Sequence, residues 1–349
     1  MKSLKGRLAL ALAMLAVPVV AACGGTSDAS GEGDGGGSDG GGGGTINLVA
    51  YSTPQEVYED HLIPAFQKTP EGEGTNFTTS FAGSGDSRRA IESGIPTDLA
   101  HLALEPDTQI LVEEGILPED YRDNEYRGII QNSVVVIVTR PGNPENIRTW
   151  DDVLNSDLEI INANPFTSGG ARWNVMAVFG QAALKGGRLD EQAGLDAVRK
   201  LLEKVPSYPS SARDALNEFL SGKGDVLLSY ENEAIQAQNA GEDIEYIVPD
   251  STLLIETPGG VPVDAPNAEG GQAFLEFLWT DEAQRIWAEN GFRPVNEEIL
   301  AEFSDKFPQP KNLFTIEDLG GWEKVMNDYF DPDTGKIAEI QKDLGGPTE

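Results

Sequence analysis

The chain carries short apolar runs that alternate with segments in which apolar residues recur at helical spacing. The short runs predict strands at 45–52, 76–81, 98–104, 133–139, 158–161, 225–230, 244–248 and 251–256. The helical spacing predicts helices at 56–66, 88–94, 109–115, 150–154, from 171 onward, 190–205, 212–221, 231–239, 271–290 and 322–329. Strands that alternate with helices indicate an α/β architecture, here with mainly parallel sheets.

One loop between a predicted strand and a predicted helix has the composition of an anion site. It follows the strand at 158–161 and reads NPFTSGGARWN. Ser168 can cap the helix, and Gly169 and Gly170 let backbone N–H groups approach a ligand without an intervening Cβ. The first N–H groups of a helix lack intrahelical acceptors, and the helix dipole favours an anion there. The alternative is an ordinary strand–loop–helix turn with a serine cap.

Two other predicted helices begin beside small polar residues. Ser84 lies in the loop AGSGDS, and Ala212 follows Ser211, which forms a predicted capping box with Asp214. In open α/β sheets such loops gather at the carboxyl ends of strands, where ligands bind. If the three loops converge, they can surround a tetrahedral dianion with uncharged donors.

The N-terminal residues have the pattern of an export signal rather than of a folded core. A basic start and a short apolar run occupy residues 1–22, and Val20-Ala21-Ala22-Cys23 resembles a bacterial lipobox. Cys23 is the only cysteine, so it cannot form an internal disulfide, and lipidation is the predicted role. The alternative is an incidental cysteine near a cleavage site. The Gly-rich residues 24–44 predict a flexible tether.

Length and charge limit the possible functions of the remaining body. The 349 residues, 39% of them hydrophobic, are enough for about two domains. Without residues 1–22 the chain keeps 22 basic and 58 acidic residues, a formal charge of −36. This charge argues against nucleic acid as a partner, and an anionic ligand must be held by local dipoles and hydrogen bonds.

Several runs in this order resemble the sulfate-binding proteins of ABC importers, with thiosulfate-binding proteins as near relatives. These runs are NANPFTSGGARWN, AGSGDS, GDVLLSYENEA, GFRP and FPQPKNLFTIEDLGGW. The resemblance covers about residues 46–330. It implies a two-lobed type II periplasmic-binding fold, with 45–131 plus about 255–349 as the first lobe and 132–254 as the second. It also implies a monomer without catalytic activity or cofactor, which hands its ligand to a permease.

The resemblance also implies which residues bind the anion. Ser84 is expected to donate through its backbone and hydroxyl, Ser168 through its hydroxyl, and Gly169, Gly170 and Ala212 through their amides.

Two predicted site positions depart from the pattern of the relatives. At Tyr230 sulfate-binding relatives have an indole donor, so a phenol hydroxyl would replace it here. An aromatic residue other than Trp at this position also occurs among thiosulfate-binding relatives. At Ser52 relatives often carry Asp.

The sequence also contains weaker signals for other functions. Gly85-Asp86-Ser87 matches a serine esterase motif, but such chemistry needs a base, and the only histidines are His61 and His101. The sequence offers no soft-metal cluster, so no metal is predicted. Phosphate or molybdate binding and a purely structural surface lipoprotein remain alternatives.

Overall fold

The computed structural model describes residues Gly43–Thr348. The predicted export signal, Cys23 and all but the last two residues of the predicted tether lie outside this range. No helix in the described range has the length and apolar character needed to cross a membrane.

The described residues contain one nine-stranded sheet, in the order β2-β1-β3-β8-β4-β6-β5, with β7 paired to β4 and β9 paired to β8. The strands are β1 (Thr45–Tyr51), β2 (Asn76–Ala82), β3 (Leu99–His101), β4 (Ile129–Thr139), β5 (Ile160–Ile161), β6 (Val226–Tyr230), β7 (Glu245–Ile247), β8 (Ser251–Gly260) and β9 (Asn312–Phe314).

The sheet is mixed, so the prediction of mainly parallel sheets is wrong. Parallel pairs join β1 to β2 and β3, β5 to β6, and β8 to β9. Antiparallel pairs join β3 to β8, and β4 to β6, β7 and β8. The apolar run of β4 indicates burial on both faces but carries no information about strand direction, which depends on how the chain returns.

Two long strands connect the two halves of this sheet. The first half of β4 pairs with β8, and its second half, from Val135 to Thr139, pairs with β6 and β7. The end of β8 pairs with β3. Since β4 and β8 pass from one set of strands to the other, they are the connections between the two lobes of this α/β fold.

Helices cover both halves of the sheet. They are α1 (Gln55–Val57), α2 (Ile63–Phe66), α3 (Ser84–Glu92), α4 (Glu105–Glu113), α5 (Trp150–Leu154), α6 (Gly169–Ala183), α7 (Glu191–Leu202), α8 (Ala212–Leu220), α9 (Glu231–Asn239), α10 (Ala268–Leu278), α11 (Asp281–Glu289), α12 (Glu297–Glu302), α13 (Gly321–Val325) and α14 (Lys336–Asp343). One π-helical turn, Tyr58–Leu62, joins α1 to α2. A second, Met326–Phe330, follows α13.

Two of the differences between the predicted and the observed helices have local reasons. Helix α3 begins at Ser84 rather than at 88, because Gly83 has the extended conformation of an N-cap. The helix predicted at 271–290 is two helices: the first ends at Leu278, and Thr280 caps the second by accepting the Ala283 N–H at 3.3 Å.

Part of the C-terminal segment packs against helices of the second lobe. Phe314, Tyr329 and Ile337 belong to the same apolar cluster as the buried faces of α6 and α7. The Tyr329 hydroxyl also donates to Glu191 in α7 at 2.9 Å. The predicted lobe boundaries, with about 255–349 in the first lobe, stay a prediction.

Helix α6 packs so closely on this C-terminal segment that one position requires glycine. A Cβ built on Gly180 lies 2.3 Å from Cε2 of Phe314. We therefore expect Gly180→Ala to lower the free energy of unfolding by about 1–3 kcal/mol, as overpacking does. Gly186→Ala is the matched control, since a Cβ there meets nothing within 4 Å. Urea unfolding measures both variants, and equal stability of the two would contradict the packing described.

Candidate functional site

All seven residues that the sequence predicts for the site line one pocket between the two halves of the sheet. The space in this pocket that is open to the centre of a water molecule is about 10 Å³. A cavity needs roughly 10–15 Å³ on this measure to hold one water molecule, so the pocket is tight and leaves room only for a very small ligand. Its lining consists of Tyr51, Ser52, Thr53, Gly83, Ser84, Ala103, Ser168, Gly169, Gly170, Ala212 and Tyr230.

Three helices begin at this pocket. Helix α3 begins at Ser84, α6 at Gly169 and α8 at Ala212. The N–H groups of first-turn residues have no acceptor within their helix, and the helix dipole places partial positive charge there. The three helix starts thus present uncharged donors to the same small volume.

Glycine at the start of α6 allows the helix to approach the other walls. A Cβ built on Gly170 lies 2.7 Å from the Tyr230 ring and 3.1 Å from the Ala212 Cβ. A Cβ built on Gly169 lies 2.9 Å from the Ala103 Cβ. Any other residue would push the walls apart, so the pair of glycines sets the width of the pocket.

Ser168 caps α6 and keeps its hydroxyl proton free. Its Oγ accepts the Ala171 N–H at 3.3 Å, and its own N–H donates to the Asn164 carbonyl at 2.8 Å. An oxygen that accepts at a helix start can still donate its proton. Ser168 therefore has a hydroxyl donor available for the pocket, as the resemblance implies.

Ser84 differs from its implied role because its hydroxyl is already engaged. The hydroxyl donates to Asp107 at 2.6 Å and accepts the Ala103 N–H at 3.0 Å. Asp107 is buried in α4, and Arg88 lies 3.5 Å from its other oxygen. A carboxylate is a strong acceptor, so it takes the serine proton. Of the two donors implied for Ser84, the backbone N–H is the one left for the pocket.

Tyr230 presents a buried hydroxyl that has no hydrogen-bond partner among the described residues. It is the last residue of β6 and the residue before α9. Burial is the largest cause that raises the pKa of Tyr230 well above its usual value, and Tyr51 and Glu233 add to this. The phenol thus stays protonated as an uncharged donor. A buried donor without an acceptor is costly, so a ligand that accepts from it is favoured.

The end of β1 completes the lining. Ser52 lies at the pocket as predicted, and its neighbour Thr53 is fully buried. Burial raises the pKa of Glu233, and the nearby Thr53 opposes this rise only weakly. The Thr53 hydroxyl meets no acceptor with hydrogen-bond geometry among the described residues. The sequence analysis did not predict Thr53 as a site residue. The usable signal was that Thr53, like Ser52, is a hydroxyl residue just after the end of β1.

No residue that lines the pocket carries a charge. The nearest carboxylates are held behind it: Asp107 accepts from Ser84, and Glu233 is paired with Arg213 at 3.0 Å. Asp86, next to Ser84, is half exposed and paired with Arg89. An anion in the pocket would therefore meet backbone and hydroxyl dipoles rather than a counter-ion.

The esterase motif is not arranged for catalysis. The Ser87 hydroxyl donates to the Ala50 carbonyl at 2.9 Å. His101 lies between the Tyr58 hydroxyl at 2.7 Å and the Thr257 hydroxyl at 3.0 Å. Burial lowers its pKa to about 3. A serine nucleophile needs a base within hydrogen-bond reach, and none of the described histidines bonds to Ser87. Within residues 43–348 no group of three or more potential ligands could hold a metal ion.

A family model described as "Bacterial extracellular solute-binding protein" matches residues 46–293. The match covers most of the chain, including every residue that lines the pocket. The chain belongs to this family.

Known members of the solute-binding proteins resemble the chain over most of its length. The sulfate-binding protein of Synechocystis sp. is 38% identical and covers 82% of this chain and 83% of its own. The thiosulfate-binding protein of Pseudomonas aeruginosa is 31% identical and covers 81% of this chain and 88% of its own. The solved structure of the sulfate-binding protein SubI from Mycobacterium tuberculosis H37Rv is 41% identical, with a TM-score of 0.79, over 82% of this chain and 99% of that chain.

These similarities confirm the resemblance inferred from the sequence motifs. They also confirm a two-lobed solute-binding fold, in which the pocket lies in the cleft between the lobes. The ligand contacts of the individual residues stay a prediction, which the geometry of the pocket supports.

Proposed function

We propose that this solute-binding protein captures sulfate in the cleft between its lobes and delivers it to an ABC permease. The observation that carries the proposal is the lining of the pocket, which has first-turn amides from three helices and no charged side chain. Its small size, with about 10 Å³ open to the centre of a water molecule, excludes drug-sized ligands. Relatives named for sulfate binding share this family.

The donors of the pocket favour a fully ionised anion over a protonated one. Sulfate has no proton to give, so it needs a donor at every oxygen. Hydrogen phosphate carries a proton that needs an acceptor. Asp107 is a nearby carboxylate that could accept this proton. It already accepts from the Ser84 hydroxyl, however, and it does not line the pocket. Phosphate would leave its proton unpaired, which disfavours it.

Thiosulfate is the second candidate, and Tyr230 is the residue that favours it. A phenol hydroxyl lies farther from its Cα than an indole N–H does, so it places its donor differently beside Gly170. The P. aeruginosa relative is named for thiosulfate binding.

We propose that the anion binds to one lobe of the open protein and that the lobes then close about it, without any chemical step. Gly83 in the first lobe packs against the second lobe, since a Cβ built on it lies 3.2 Å from the Ser210 carbonyl oxygen. Arg213 in α8 also donates to Glu56 and to the Thr53 carbonyl in the first lobe. These contacts support a closed arrangement, which opens about β4 and β8 to admit the anion.

The protein is proposed to work as a monomer on the outer face of the cytoplasmic membrane. Its family is described as extracellular. Cleavage after residue 22 would leave Cys23 as the lipidated N-terminus, and residues 24–44 would tether the body.

A titration with four anions tests the proposed ligand. We expect sulfate or thiosulfate to bind to the purified protein in calorimetry, with hydrogen phosphate and molybdate at least tenfold weaker, because a missing acceptor or a larger ion costs about 1.4 kcal/mol or more. Tight binding of hydrogen phosphate, or no binding of any of the four, would contradict the proposal.

Ala212→Pro removes one proposed amide donor without changing the fold. Proline suits the first position of a helix, and Ser211 before it is extended, with φ −139° and ψ 165°. Loss of a hydrogen bond to a charged group should weaken sulfate binding about tenfold to a hundredfold, with an unchanged melting temperature. Ala212→Gly keeps the N–H and serves as the control. Equal affinities of the two variants would remove Ala212 from the site.

Cys23→Ser tests the proposed anchor. We expect the variant to be recovered in the soluble extracytoplasmic fraction of expressing cells, whereas the parent protein stays with the membrane fraction, because a thioether-linked lipid needs the thiol. Sulfate binding by the variant is the control for folding. Retention of the variant on membranes would exclude Cys23 as the anchor.

A further inference from the structure

An ion pair that no predicted role uses lies directly behind the pocket. Arg293 Nε donates to Glu231 Oε2 at 2.6 Å, and its Nη2 donates to Oε1 at 3.0 Å. Both side chains are almost completely buried, with 2% and 0% of their surfaces exposed. Nη2 also donates to the Pro308 carbonyl at 3.0 Å, and the guanidinium lies 5.4 Å from the Phe307 ring.

One end of this pair adjoins a proposed anion donor. Glu231 is the first residue of α9 and follows Tyr230, whose hydroxyl lines the pocket without a partner. The direction of the Tyr230 side chain depends on the backbone at this junction of β6 and α9. Contacts that fix Glu231 therefore also fix the backbone that orients the Tyr230 phenol.

The other end is fixed to the strand that joins the lobes. The Arg293 N–H donates to the Asn132 carbonyl at 2.9 Å, and the Asn132 N–H donates to the Arg293 carbonyl at 2.8 Å. Asn132 lies in the part of β4 that pairs with β8, opposite Glu256, and the part paired with β6 begins three residues later at Val135. Gly291, with φ +93°, brings this corner against α9, where a Cβ built on it lies 2.9 Å from Ile235.

A second contact ties the same two elements. The Ser133 hydroxyl in β4 donates to Asn232 Oδ1 in α9 at 2.7 Å. Two successive residues of β4 thus connect, one through Arg293 and one directly, to two successive residues at the start of α9.

We propose that Arg293 is a positioning residue of the anion pocket. Its two hydrogen bonds to Glu231 fix the Tyr230 hydroxyl relative to β4, the strand that joins the lobes. The proposal rests on the proposed function in taking Tyr230 as a ligand donor. A lysine would keep the charge but could not form the planar double contact. Arg293→Lys therefore loosens the junction without leaving Glu231 as an uncompensated buried charge.

A double-mutant cycle tests the proposal. The sulfate dissociation constant is measured by calorimetry for the parent protein, Arg293→Lys, Tyr230→Phe and the double variant, together with their melting temperatures. We expect Arg293→Lys to weaken binding about tenfold in the parent protein, as loss of a well-placed hydrogen bond to an anion does. In the Tyr230→Phe protein, Arg293→Lys should raise the sulfate dissociation constant by less than about twofold, because the hydroxyl that Arg293 positions is absent.

Asp98→Asn is the matched control for a purely structural effect. Asp98 is fully buried and accepts from the Asn47 N–H at 2.7 Å, at the end of β1 away from the pocket. We expect it to lower the melting temperature with equal, small effects on affinity in both backgrounds. If Arg293→Lys does not fold, Ser133→Ala replaces it in the cycle, with a smaller expected loss and the same dependence on Tyr230.

The outcomes separate this inference from the proposed function. Equal losses from Arg293→Lys in both backgrounds, or an unchanged dissociation constant in a folded variant, would overturn the positioning role and leave the sulfate site intact. An unchanged dissociation constant for Tyr230→Phe would remove Tyr230 from the site and overturn the positioning role with it. Absence of sulfate binding by the parent protein would contradict the proposed function itself.

Discussion

Unsatisfied backbone N–H groups at three helix starts are the constraint on which this structure depends. Burying such donors without acceptors is costly, and most proteins place them in water or under a capping side chain. Here the caps Ser168 and Ser211 each satisfy a deeper amide, at Ala171 and at Asp214, and leave the first amides free. We propose that a bound oxyanion completes these bonds, so that the pocket and its ligand stabilise each other.

The rest of the fold serves to bring these helix starts together. Helices α3, α6 and α8 follow strands or loops of different halves of the sheet, and β4 and β8 connect those halves. Close packing then fixes the distances: Gly169 and Gly170 admit the opposite walls, and the hydroxyl of Ser84 is held by Asp107. A strongly acidic protein can hold an anion in this way because the energy comes from dipoles within one turn of the ligand, while its carboxylates are screened by solvent or paired with arginines.

Much of the site could be predicted from local sequence, since a helix start is a local feature. Ser168, Gly169, Gly170 and Ala212 lie in runs whose capping residues and glycines are visible in the chain. Asp107 was not predictable, because it belongs to another helix and only the tertiary fold places it against Ser84. The prediction of mainly parallel sheets was wrong for the same reason, because strand direction depends on contacts between residues far apart in sequence.

The central claim is that uncharged backbone donors solvate the anion, and amide proton chemical shifts measure this directly. In isotope-labelled protein titrated with sulfate, the amide protons of Ser84, Gly169, Gly170 and Ala212 should move downfield more than any others, since each gains a charged acceptor. If these four resonances stay in place while sulfate binds, or if the largest changes fall on arginine or lysine side chains, the account is contradicted.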